Sequence, residues 1–199
     1  YDWNRALPHP VTAGIPFEVL PTTRFSLVGQ PKGRVIATAG KERRPAIIVG
    51  QIGNSRVAVL AYETSVGYRG RAMPISSLMP TYYERSSDPA TMDYWEYMHS
   101  LLAKTILWTA QAERPVQLAS VHSRGPVDLA SARQALVLLR FKSKQQQKVK
   151  LVAAVHQGLR PRVYLEPIEL SLSPGEAQLT LPVPAEELLD GDNLVDFWL

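Results

Sequence analysis

Glu63 is the residue best placed to do chemistry: a carboxylate just after the β-branched run Val57-Ala-Val-Leu-Ala61 and just before a long irregular stretch. In open α/β sheets ligands sit outside the carboxyl ends of strands, so a carboxylate there can act as base or nucleophile, and Glu63 is the candidate catalytic residue. Tyr62 beside it, and Tyr82 and Tyr83 in the irregular stretch, offer aromatic faces on which a sugar ring can stack. They are the candidate ligand-binding residues. Glycoside hydrolysis needs a second carboxylate facing the same cleft, and Glu84 supplies it only if the stretch folds back on the strand. His9, in a turn before Pro10, is expected to hold backbone rather than substrate. His99, His122 and His156 lie far apart, without His-x-His or His-x-x-x-His spacing, so no metal site is expected. With no cysteine, disulfides, thiolate metal sites and a cysteine nucleophile are excluded within these residues. No cofactor is expected.

Elements that would position Glu63 are legible around it. Runs at 34–39, 46–52 and 56–61 are rich in β-branched residues and are separated by a polar loop and the two-residue turn Gly53-Asn54, which predicts a small sheet. Thr64 to Ala90, with Gly67, Gly70, Pro74, Pro80 and Pro89, reads as a long loop of the kind that shapes binding faces. Met92 to Ala112 predicts a helix: Trp95, Met98, Leu102, Thr105, Ile106 and Thr109 recur at three- and four-residue spacing, widened by Leu101 and Trp108. Asp93 and Glu96 have capping-box spacing, and Pro115 is the expected stop. A strand meander followed by one long amphipathic helix argues for an α/β layer. Such a half leaves its second sheet face uncovered, so it is not expected to fold alone. Its expected partner is a missing N-terminal segment or another subunit completing the sheet.

From Arg114 onward the pattern changes to period two. Runs at 116–121, 126–130, 135–141, 148–156, 162–170, 177–183 and 194–199 alternate with turn signals such as Pro174-Gly175 and Asp190-Gly191-Asp192, predicting an immunoglobulin-like β-sandwich over 113–199. Arg140, Lys142, Lys144, Lys148 and Lys150 share one parity, as on the solvent face of two strands joined by a hairpin. No aromatic residue interleaves with them and the net charge is only +4, so nucleic acid is not an expected partner. Composition, 45% apolar and 20% charged, is that of a globular chain with a real core. No apolar run approaches 18 residues, so no membrane span is expected. Tyr1 opens neither on Met nor on a leader pattern, and the chain is expected to be a processed or excerpted piece.

Several segments together carry a resemblance. His9-Pro-Val-Thr-Ala-Gly-Ile15, Gly33-Arg-Val-Ile-Ala-Thr-Ala39, Pro45-Ala-Ile-Ile-Val49, the hairpin Gly53 to Tyr62, and Tyr94-Trp-Glu-Tyr97 followed by Leu102 to Ala110 resemble the C-terminal half of class I glutamine amidotransferase-like domains, nearest the trehalose-utilisation-like branch. The resemblance covers about residues 7 to 112. It implies an incomplete three-layer α/β domain over 1–112 with a long C-terminal helix, in a large bacterial protein carrying carbohydrate-related and immunoglobulin-like modules. Where those enzymes place a histidine after the late strand, this sequence reads Tyr62-Glu63-Thr64. A phenol with its ordinary pKa near 10 cannot replace an imidazole base. Glutamine-dependent ammonia transfer is therefore not expected.

The function expected from the sequence is a non-catalytic accessory or scaffold region of a secreted or envelope-associated bacterial protein linked to carbohydrate processing, with carbohydrate as a candidate ligand. One alternative is part of a sugar- or ester-directed hydrolase whose remaining groups lie outside this chain. The other is a structural assembly module pairing through open sheet edges.

Overall fold

The computed structural model describes residues 3–5, 7–20, 24–25, 28–63, 95–123, 125–158 and 160–199. The chain divides into two compact units, with the boundary between Glu113 and Arg114. The predicted loop at 64–90 lies outside the described residues.

The first unit contains strands β1 (Trp3–Arg5), β2 (Arg24–Phe25), β3 (Arg34–Ala39), β4 (Arg44–Ile52), β5 (Ser55–Leu60) and β6 (Tyr62–Glu63) and the helix α1 (Trp95–Thr109). Four strands form one sheet in the order β1-β3-β4-β5, every pair antiparallel, and β2 pairs with β6. The connections explain this topology. Between β4 and β5 only Gly53 and Asn54 intervene, with Ile52 opposite Ser55 and positive φ at Gly53 alone of the two, as in a type II′ turn. Parallel neighbours need a crossover of a dozen or more residues, so the short β3–β4 and β4–β5 links leave only antiparallel pairing there.

The expected fold class is therefore corrected. Residues 3–63 and 95–113 do not build a three-layer amidotransferase-like α/β half. Both units are β-rich, and among the described residues the only α-helix is α1. Among the described residues no crossover α-helix links paired strands of this unit, so none is there to layer on both faces. Along β4, Ala46, Ile47, Ile48 and Val49 are all buried, and since successive strand residues point to opposite faces, both faces of the sheet centre are covered. The uncovered second face expected from the sequence is absent at β4.

Helix α1 also ends differently from the expectation. Gln111 takes the left-handed conformation (φ 55°), the Ala112 N–H donates to Leu107 O at 2.9 Å and the Gln111 N–H to Trp108 O at 3.1 Å. That is a Schellman cap with glutamine in the usual glycine position, and it stops the helix before Pro115 is reached. The Gln111 side chain then donates to Asn54 O at 2.8 Å, fastening the helix end to the hairpin tip. Tyr97, Met98, Leu101 and Thr105 form the buried stripe, while Ile106, assigned to it from spacing, is 56% exposed.

The second unit holds β7 (Val116–Ser123), β8 (Gln134–Ser143), β9 (Gln147–His156), β10 (Val163–Tyr164), β11 (Ile168–Leu172), β12 (Gly175–Pro184) and β13 (Leu194–Trp198). One sheet has the order β12-β8-β7; in the other, β9 is the central strand and pairs with β10, β11 and β13, all antiparallel. Val137, Leu139, Phe141 and Val183 from the first sheet and Leu151, Ala153, Val155 and Leu172 from the second share one core, giving a sandwich-like pair of sheets. Each fully buried large side chain there contributes about 1.5–3 kcal/mol.

Two local expectations fail. The run at 126–130 is not a strand: Asp128 accepts from the Ala130 N–H and the Ser131 hydroxyl, an Asx-type turn that competes with strand pairing. Arg140, Lys142, Lys144, Lys148 and Lys150 are all exposed, as a solvent face requires, but they do not lie on one hairpin, because β8 and β9 belong to different sheets. Lys142 is instead opposite Glu176, and Lys150 opposite Glu169. The basic run is split between two sheets, each part beside a carboxylate.

Candidate functional site

Tyr62 and Glu63 form β6, with Phe25 opposite Tyr62 and Arg24 opposite Glu63. The segment after β5 is thus held by strand pairing. The Tyr62 ring lies edge-on to Trp3, centroids 4.9 Å apart, and Trp3 in turn meets Phe17 edge-on at 5.9 Å. Burial pushes the Tyr62 phenol up to about 12, because the phenolate would lose its hydration. An acid that weak neither donates nor accepts a proton usefully near neutral pH. Tyr62 is half-buried, with its ring against Trp3. The side chain of Glu63, and Tyr82, Tyr83 and Glu84 entirely, lie outside the described residues, and with them the predicted grouping around Glu63.

His9 sits in the turn formed by its own motif. Its carbonyl accepts the N–H groups of Thr12 (3.0 Å) and Ala13 (2.9 Å) and the Thr12 hydroxyl (3.2 Å). Its Nδ1 accepts the Val11 N–H at 3.2 Å, the backbone-holding role expected for it. That bond leaves Nε2 as the protonated nitrogen of a neutral ring. The ring lies edge-on to Trp108 at 5.0 Å, and Arg56 stands over the same indole at 5.2 Å. Arg56 also pairs with Glu113 and donates to Trp108 O at 3.1 Å. Burial lowers the His9 pKa, Arg34 and Arg56 lower it further, and Glu113 raises it. Arg34 donates to Pro8 O at 3.4 Å, and Lys104 to Ala13 O at 2.7 Å, with burial lowering the Lys104 pKa. These groups close the 7–15 turn onto α1 and β3. The cations here are used as backbone donors.

A third polar centre lies in the second unit. His156, 4% exposed, has Nε2 3.2 Å from Asp196 Oδ2, which also accepts from Arg162 Nε at 2.9 Å. On either side of Ala154, Tyr164 and Asp196 occupy β10 and β13. Sequence reasoning passed over Arg162, Tyr164, Asp196 and Trp198. The available signal was a polar residue followed two positions later by an exposed aromatic, Arg162/Tyr164 and Asp196/Trp198, in two predicted strands. Among the described residues no group of three or more His, Cys, Asp or Glu could hold a metal, and no helix is long and apolar enough to cross a membrane.

No family model, no curated protein and no solved structure matches this chain. The amidotransferase-like and immunoglobulin-like resemblances therefore rest on sequence motifs alone.

Proposed function

We propose that this chain is a non-catalytic accessory or scaffold region of a larger, secreted or envelope-associated bacterial protein linked to carbohydrate processing. The observation that carries the reading is the state of Tyr62: the residue at the end of the late strand is packed edge-on to Trp3 with its phenol pushed up to about 12. His9 and Lys104 support it, since His9 Nδ1 and Lys104 Nζ both bond to backbone of the turn at 7–15. The carbohydrate setting comes from the motifs at residues 7 to 112. To test it, the chain and its parent protein are assayed with chromogenic glycosides, esters and soluble polysaccharides. The expected result is no turnover by the chain and no change in the parent's activity on Glu63→Gln. Loss of the parent's activity in a folded Glu63→Gln variant overturns the proposal in favour of the hydrolase reading.

An assembly role is the second reading, favoured by Ile106 (56% exposed) and Leu107 (43%) on the outer side of α1. Sedimentation over a range of concentrations tests it. Self-association that disappears in Ile106→Asp supports assembly, and a monomer at all concentrations refutes it.

A further inference from the structure

What the His9 ring touches decides where acid can add a proton. Nδ1 accepts the Val11 N–H at 3.2 Å, so the neutral ring carries its hydrogen on Nε2 and the second proton can go only to Nδ1. There it sets two donors against each other at Val11, a residue 0% exposed. The surroundings also disfavour a cation. Trp108 of α1 lies edge-on to the ring at 5.0 Å, and the Arg56 guanidinium of β5 stands 5.2 Å from the centroid of the same indole. From β3, Arg34 donates to Pro8 O at 3.4 Å, and from α1, Lys104 donates to Ala13 O at 2.7 Å. Glu113, just past α1, is the acidic group acting on the ring, and it pairs with Arg56. Burial first, then Arg34 and Arg56, hold the His9 pKa below its ordinary value against the opposing pull of Glu113.

We propose that His9 is an acid-sensitive latch: a proton on Nδ1 releases the turn at 7–15 from α1 while the sheet and the helix stay folded. The device goes beyond the accessory reading and does not depend on it. The turn yields rather than the sheet because its backbone bonds are nearly all its own. His9 O accepts the Thr12 N–H at 3.0 Å and the Ala13 N–H at 2.9 Å, and Thr12 O accepts the Ile15 N–H at 3.3 Å, whereas the Leu7 N–H reaches Ile36 O of β3 at 3.4 Å. Opening therefore breaks no strand ladder, and such a segment can open locally. One residue also does both jobs: the His9 carbonyl closes the turn and the His9 ring docks it on Trp108, so displacing the charged ring pulls on the turn's own bonds. Release bares Val11, Ala13 and Ile15, which are 0%, 3% and 7% exposed when the turn is closed. The chain then presents in acid an apolar segment that it hides at neutral pH.

The test is amide hydrogen exchange of the whole chain, followed by NMR from about pH 7.5 to about pH 5 and corrected for the intrinsic rates, with the His9 ring protons titrated in parallel. The closed turn disfavours the proton, so its opening should rise by up to about tenfold for each pH unit below about 6.5 and level off below the closed-state value. We expect the Val11, Thr12 and Ala13 amides to lose protection along that course while the amides of β4 keep theirs. His9→Asn places an acceptor near the Nδ1 position that takes no proton in this range, and its turn should stay protected down to about pH 5. Arg34→Gln, at an exposed residue, removes one facing cation and should shrink the acid-dependent loss. A loss of the same size in His9→Asn overturns the proposal. So does a ring that titrates while the turn amides keep their protection, or a β4 that loses protection in step with the turn. If His9→Asn does not fold, Arg34→Gln decides in its place, and an undiminished loss there overturns the latch.

Discussion

Alkaline titration of Tyr62 tests the packing of the first unit directly. In the unfolded chain its phenol ionises near 10, and in the folded chain burial holds it at about 12. The sign follows from linkage: the folded state keeps the proton longer, so this contribution is fully present below pH 10 and is lost as pH rises through about 12. At ~1.4 kcal/mol per pH unit, the loss comes to ~1.4 kcal/mol at about pH 11 and ~2.3 kcal/mol at about pH 12. Tyr62→Phe removes the titrating group while keeping the ring against Trp3. Urea unfolding of wild type and Tyr62→Phe, from about pH 8 to about pH 12, isolates the effect, because lysines and other tyrosines cancel in the difference. Lys104 runs in the opposite sense: its lowered pKa makes its contribution greatest above its ordinary value near 10.5, and it too cancels. The variant should gain on the wild type by the amounts above. A wild-type-minus-variant difference that stays flat across the range refutes the buried-phenol account.

His9 gives the complementary acid prediction. Its folded pKa lies below 6.5, so its contribution is present above that pH and is lost as pH falls through the folded value; His9→Gln should flatten the wild type's decline in urea midpoint below about pH 6. Gly33→Ala should destabilise the first unit by about 1–3 kcal/mol, because the new Cβ would stand 2.7 Å from the backbone oxygen of Val49 and 2.7 Å from Ile48, readable as a lower thermal midpoint. Phe141→Ala should cost the second unit about 3–5 kcal/mol, its side chain being 1% exposed in the shared core, and a loss below ~1 kcal/mol in urea unfolding would contradict that packing.

Local elements were legible because their signals are local. Gly53-Asn54 fixes the β4–β5 hairpin by turn chemistry alone, and the β-branched run at 34–39 coincides with β3. The helix was visible from its spacing, but its cap was not: Gln111 adopts a left-handed backbone that its residue type does not advertise, supported by a side-chain bond to Asn54, 57 positions away. Layering was misread for a similar reason, since one amphipathic helix after a meander suggests an α/β layer while strand order depends on which edges pair. The same limit hid Tyr164 and Trp198. They meet across β9 from strands separated by about thirty residues, and only the register shows that both flank Ala154.

The late arrival of β13 has a consequence for synthesis. β9 ends at His156, but the strand completing that side of it spans Leu194–Trp198. At elongation rates of roughly 5–20 residues per second, β9 waits on the order of 2–8 s for this partner to be made. Over that interval Val152, Ala154 and Val155 border an unpaired backbone edge, next to strands already able to form the opposite sheet's hydrogen bonds. Nascent chains should therefore be most prone to cross-pair, and most dependent on holding chaperones, between emergence of β9 and emergence of β13.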